Sequence, residues 1–178
     1  MRILIAGLLG GIAMYLWSTV AHVATPLGMI GVSTLPDESA TVANLASAIG
    51  DHGGLYLFPA DMSGTPSSAT APGGFLVYNP RSPMEMQPKQ LVIEFATEVV
   101  EAILAAWLLS MTAIAAFGMR VAFVAVVGVT GAITTNIPYW NWYNFPVNYT
   151  LTYAFVEIVG FLAAGLVIAW YLKPKPAQ

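Results

Sequence analysis

The chain has 178 residues, of which 57% are hydrophobic and only 8% charged, with a net charge of −3 and a mean hydropathy of +0.71. Soluble domains average about 25% charged residues, so there is too little charge here to cover a water-facing globule, and lipid is the expected solvent. The acidic balance excludes a nucleic-acid partner, since no basic patch exists to neutralise phosphates. The absence of cysteine excludes disulfides, thiolate metal sites and cysteine nucleophiles.

Crossing a bilayer takes about 20 apolar residues. The first stretch that qualifies is 3–24, which has no charge between its ends. Arg2 followed by an apolar run also fits a secretory leader, but His22 at the third position before a cut near Ala24 spoils the small-x-small cleavage pattern. An uncleaved helix is therefore expected. Gly7 and Gly11 form a GxxxG pair on it, the kind of small-residue stripe that lets helix backbones approach closely in lipid. Ser18 and His22 continue roughly the same stripe.

Residues 25–90 are the only sizeable polar region and are expected to form a small irregular outer cap. Within it, Pro36–Ile49 reads as a short helix, with Asp37 and Glu38 in its first turn and Val42, Leu45, Ala46 and Ile49 at helical spacing. Leu55–Pro59 and Phe75–Tyr78 are apolar-aromatic runs bounded by Gly and Pro, and read as two extended strands. The segment between them, Ser63–Gly74, is rich in turn residues and reads as a loop. An isolated hairpin is marginal, so the cap must lean on the helix ends or on a partner.

The second apolar helix, 91–117, begins with three carboxylates. Glu94, Glu98 and Glu101 are spaced by four and then three residues, which puts them in one row on one face. Carboxylates at membrane depth are costly and mark functional sites by default. A third helix is expected over 119–135, opening at Arg120 and carrying Gly128 and Ala132, and a fourth over 150–172, carrying Glu157, Gly160 and Ala164 on one stripe. Between them, 136–149 is expected to be an outer loop. Six of its residues are aromatic, among them Tyr139, Trp140, Trp142, Tyr143 and Phe145. That loop suits an interfacial belt or a docking surface for a partner.

With four spans, Arg2, Arg120, Lys173 and Lys175 fall on one side, while Arg81 and Lys89 on the other are diluted by Asp37, Glu38, Asp51, Asp61 and Glu85. The positive-inside rule then makes both termini cytoplasmic. At about 1.5 Å per residue, Glu101 and Glu157 lie about 15 and 10 Å inside the outer face, and His22 lies near the outer end of its helix. One imidazole and four carboxylates, His22, Glu94, Glu98, Glu101 and Glu157, are thus expected to converge on the outer half of the bundle.

Three uses for that cluster follow from its chemistry. Protonated carboxyls hydrogen-bonded to Ser18, Thr97 or Thr152 act as glue between helices. A row of acids descending from the outer face also suits a proton or cation path, although only Ser110 and Thr112 continue it inward. A metal set of His22, Glu94, Glu98 and Glu157 suits zinc, iron or manganese, without the Glu-x-x-His signature of carboxylate di-iron bundles. No Gly-x-Ser-x-Gly elbow, P-loop or dinucleotide fingerprint is present, so no cofactor is indicated and the pattern points away from an enzyme.

Trp17 with His22, Pro26-Leu27-Gly28-Met29, Thr34-Leu35-Pro36, Gly54-Leu55-Tyr56-Leu57-Phe58-Pro59 and Tyr139-Trp140-Asn141-Trp142-Tyr143 carry a resemblance over nearly the whole chain. It resembles a family of small bacterial four-helix inner-membrane proteins without an assigned activity. The resemblance implies the topology and offers no catalytic residue.

The expected fold is an all-α membrane protein, a four-helix transmembrane bundle forming one domain with a small periplasmic cap. The expected role is a non-catalytic accessory or assembly subunit of a larger membrane complex, partnered by lipid and by another protein or a second copy. The alternative is a carrier of protons, metal ions or a small lipophile that uses the Glu/His cluster.

Overall fold

A computed structural model describes residues 1–59, 71–81 and 86–174. Asp61, Glu85, Lys175 and most of the expected loop Ser63–Gly74 lie outside the described residues. The first helix, α1 (Arg2–Thr19), loosens into a π-helical turn at Val20–Ala24 and is followed by a 3₁₀ turn, Pro26–Met29. Then come α2 (Glu38–Ile49), β1 (Gly54–Phe58), β2 (Gly74–Tyr78), α3 (Pro88–Ser110), α4 (Phe117–Tyr143) and α5 (Val147–Tyr171).

Three helical stretches are long and apolar enough to cross a membrane: Arg2–Ala24, Phe117–Tyr143 and Val147–Tyr171. α3 matches them in length at 23 residues but holds Lys89, Glu94, Glu98 and Glu101. It starts with a capping box, in which the Gln87 side chain and the Gln90 side chain each bond the other's backbone, and Pro88 sits in the first turn, where a missing N–H costs nothing.

The expected helix 91–117 stops short. Hydropathy sees an unbroken apolar run through Phe117, but the Ser110 and Thr112 hydroxyls donate to the Trp107 and Leu109 carbonyls at 2.6 and 2.8 Å. Those bonds satisfy carbonyls that the helix would otherwise carry forward. The expected helix 119–135 is likewise longer at both ends. It runs to Tyr143 with Pro138 inside it, so the segment 136–149 is mostly helix and not an outer loop. Hydroxyls of Thr134 and Thr135 and the Asn136 amide bond carbonyls one turn back at 2.9–3.0 Å, holding the turn that leads into the proline. Asn144, in the left-handed conformation at φ 56°, closes the helix as only Gly and Asn commonly do.

In cross-section the long helices run α3, α1, α5, α4 as an arc: α1 packs against α3 and α5, α5 against α4, and α3 meets α4 and α5 only sparsely. Glycine sets two of these contacts. A Cβ on Gly11 would lie 2.5 Å from Val99 Cα, and one on Gly128 would lie 2.5 Å from Phe161 Cβ, so nothing larger fits without separating the helices. The packed core, including Ala6, Ala102, Ala105, Leu109, Ala164 and Ile168, sits toward the end that carries Arg2, Arg120 and Lys173. That end is stapled by the buried Arg120, whose Nη1 donates to the Ile114 carbonyl at 3.1 Å and whose Nη2 donates to the Leu172 carbonyl.

The opposite end carries the cap. α2 begins at Asp37, whose side chain accepts from the Ala40 N–H at 3.2 Å, and none of its residues is buried. β1 and β2 pair antiparallel with Leu57 opposite Phe75. The hairpin is held by its ring: Phe75 lies 4.2 Å, centroid to centroid, from Tyr143 at the end of α4.

Candidate functional site

Toward the cap end the helices part and enclose a cavity of about 370 Å³. Met14, Trp17, Ser18 and His22 line it from α1 and its π-turn, and Glu94, Thr97, Glu98 and Glu101 from α3. Thr135 and Asn136 belong to α4, and Tyr153, Val156, Glu157 and Gly160 to α5. All five residues of the expected polar cluster, His22, Glu94, Glu98, Glu101 and Glu157, are among these.

Their surroundings differ. Glu98 is 7% exposed. The Ser18 hydroxyl interacts with its carboxyl group, and its Oε2 has no hydrogen-bond partner. Glu157 Oε2 accepts from Thr135 Oγ1 at 3.2 Å and Asn136 Nδ2 at 3.3 Å. Its Oε1 fills the space beside Gly131, 2.5 Å from where a Cβ would stand. Glu94 is exposed at the mouth and Glu101 is half-buried. The carboxylates feel one another: Glu98 is coupled to Glu94 and Glu101, and Glu101 to Glu157 across the cavity.

His22 owes its place to the π-turn, a local widening that recurs at functional sites. The Thr25 hydroxyl supports that turn by donating to the Ala21 carbonyl at 2.6 Å and accepting from the Leu27 N–H at 3.2 Å. His22 Nδ1 donates to the Ser18 carbonyl at 2.9 Å, which fixes the orientation of the ring. Its ring meets Tyr153 edge-on at 5.8 Å. Trp17 Nε1 donates to the Val156 carbonyl at 2.8 Å, tying α1 to α5 at the cavity wall.

Among the described residues, no group of three or more His, Cys, Asp or Glu stands close enough to hold a metal ion. The expected ligand set His22, Glu94, Glu98 and Glu157 therefore does not assemble. Its members come from three separate elements and line a cavity instead of converging on a point. The glue reading also changes partners: Thr97 donates to the Ile93 carbonyl, and Glu157 is bonded by Thr135 and Asn136 of α4.

The aromatic set divides. Tyr139, Tyr143 and Phe145 join a run of rings from Phe75 through Tyr149 and Tyr153 to His22, with successive centroids 4.2–5.9 Å apart. Trp140 and Trp142 turn outward, 43% and 74% exposed. Sequence reasoning did not single out Thr135, Asn136 or Tyr153, and the signal available for the first two was slight. Extending the third helix by one turn puts Thr135 and Asn136 on a face with Gly128 and Ala132, opposite the Glu157 stripe.

Chemically the site is a carboxylate-lined cavity. None of its lining residues is Lys or Arg, so the carboxylates have only an imidazole, hydroxyls, an amide and an indole around them. No family model, no curated protein and no solved structure matches this chain, so the resemblance given above rests on its quoted residues alone.

Proposed function

We propose that this is a multi-pass protein of the bacterial inner membrane, a four-helix transmembrane bundle with both termini in the cytoplasm, that binds a small cation in the carboxylate cavity from its outer side. The observation that carries this reading is a cavity lined by four carboxylates, the buried Glu98 among them, and by no lysine or arginine. Charged carboxylates sharing one cavity repel one another, and a cation among them offsets that cost.

The membrane reading of α3 is supported by how its charges are distributed. Glu98 points inward, while Val92, Ile93, Val100, Leu104, Trp107 and Leu108 are exposed, which is the arrangement a lipid-facing helix requires. The core of small and apolar side chains below the cavity leaves no polar path onward. The reading is therefore one-sided binding and not a channel, and nothing in it requires catalysis.

The accessory-subunit reading is favoured by Trp142 and Trp140, which stand exposed on the last turns of α4 and suit either the headgroup layer or a protein partner.

The test is a calorimetric titration of the purified protein with ethylammonium chloride, with ethanol as the uncharged control. Ethylammonium is expected to bind saturably, ethanol not at all, and the double variant Glu98→Gln/Glu101→Gln is expected to lose binding while remaining folded and monodisperse. A double variant that falls apart would assign the acids to helix adhesion. A wild type that ignores ethylammonium would defeat the proposal.

A further inference from the structure

We infer that Glu157 is a latch on the outer tip of α4, and that protonating it frees the segment beyond Pro138, with the cap hairpin stacked on it, to swing away from α5. This device needs no bound cation and stands apart from the reading above.

The proline divides α4. Pro138 has no N–H to give the Thr134 carbonyl and its ring crowds that turn, which makes it the place where the helix bends most readily. Before the proline, α4 and α5 interlock. Besides the contact of Gly128 with Phe161, a Cβ on Gly165 would lie 3.2 Å from the Val121 carbonyl oxygen. Toward the tip the packing opens into a cleft of about 300 Å³ between the same two helices, lined by Tyr139, Phe145, Tyr149 and Thr150. Thr135 and Asn136 wall both this cleft and the carboxylate cavity. The turn that leads into the proline therefore has open space on two sides.

Glu157 ties that turn to α5. One of its carboxylate oxygens accepts from Thr135 and Asn136, and the other lies against Gly131. Both donors keep a second acceptor on their own helix: the Thr135 hydroxyl reaches the Gly131 carbonyl at 2.9 Å, and the Asn136 amide the Ala132 carbonyl at 3.0 Å. A protonated carboxyl accepts more weakly than a carboxylate. Loss of the charge thus loosens the tie between the helices and strands no donor.

The tip carries Trp140, Trp142 and Tyr143, and Phe75 of β2 stacks on Tyr143 at 4.2 Å, so movement of the tip takes the hairpin with it. Around Glu157 the cavity presents Glu94, Glu98 and Glu101 from α3, His22 from the π-turn and Tyr153 from α5, while α4 presents only Thr135 and Asn136. His22 and the α3 carboxylates are the rival triggers that the experiment must separate from Glu157.

Spin labels on paired cysteines read the movement in detergent micelles, since the chain has no cysteine of its own. Leu16→Cys on α1 and Trp142→Cys on the tip stand at exposed positions. Their distance distribution is expected to gain a second population as the pH falls from about 9 to about 4, the range over which glutamates in proteins titrate. Glu157→Gln is expected to show that population at every pH, and Pro138→Ala to suppress it. Leu16→Cys paired with Val126→Cys, which lies before the proline, is expected to keep one distance throughout. Thr135→Val removes one donor from the latch and should enlarge the second population even at high pH, which decides the matter if Glu157→Gln does not fold. A single unchanged distance in the parent and in Thr135→Val would overturn the latch. A pH response that survives Glu157→Gln would assign the trigger to His22 or the α3 carboxylates and overturn it equally. A response shared by the Val126 pair, or untouched by Pro138→Ala, would overturn the hinge.

Discussion

Glu98 and Glu157 occupy one cavity, yet they play different parts. Glu157 is held by Thr135 and Asn136, whose donors also serve carbonyls of their own helix, so removing the carboxylate strands neither of them completely. Hydrogen bonds of this kind between membrane helices contribute about 0.6 kcal/mol on average and up to about 1.7. Glu157→Ala is therefore expected to lower stability by roughly that amount. Glu98→Gln gives up no partner at Oε2 and relieves repulsion from Glu94 and Glu101, so its stability is expected to stay within about 0.5 kcal/mol of the parent. Thermal unfolding of the two variants in detergent checks the pair, and a Glu98→Gln loss exceeding that of Glu157→Ala would make Glu98 a structural anchor instead of a binding group. The spacing of Glu94, Glu98 and Glu101 made their shared face legible in the sequence, because helical geometry alone settles it. The partners of Glu157 were not legible, since they come from a neighbouring helix at the point where it was expected to end, residue 135, although it runs on to Tyr143.

Among the elements, the small-residue stripes were readable and their partners were not. GxxxG announces a close approach somewhere, but Gly7 and Gly11 meet α3 while Gly128 meets α5, and nothing in a single helix's sequence names the neighbour. The same limit explains the misjudged helix ends: α3 stops where hydroxyls of Ser110 and Thr112 fold back on the chain, inside a run that is otherwise apolar. Substitution of the glycines tests the packing directly. Gly11→Leu inserts a side chain where even a Cβ lies 2.5 Å from the Val99 backbone, and overpacking of this kind costs about 1–3 kcal/mol. Gly118, by contrast, has nothing within 4 Å of its would-be Cβ. Gly118→Ala is therefore expected to be neutral or to gain up to about 1 kcal/mol from the stiffer unfolded chain. Equilibrium unfolding in mixed micelles measures both. Equal effects at the two positions would mean that α1 and α3 do not depend on that contact.

At the scale of the whole molecule, the question is whether α3 crosses the membrane with the other three helices. By composition it falls outside the set of clear spans, because its window holds three glutamates. By packing it lies along α1 through Gly7 and Gly11, turns Glu98 inward and shows apolar side chains outward, so the most deeply placed of its charges is hidden from lipid. The two arrangements predict opposite sides for the turn 111–116. With four spans, that turn shares a side with Arg2, Arg120 and Lys173, as the bond from Arg120 to the Leu172 carbonyl requires for its two ends of the chain. With three, α3 lies outside and the turn joins the cap. The chain has no cysteine, so single cysteines report the side without background. Ser47→Cys on α2 is expected to react with a membrane-impermeant maleimide in intact spheroplasts. Ala115→Cys, exposed in the turn, is expected to react only after the membrane is opened. Labelling of both in intact spheroplasts would place α3 outside the bilayer and put the carboxylate cavity in water, where an unpaired Glu98 costs little and the case for a captured cation loses its force.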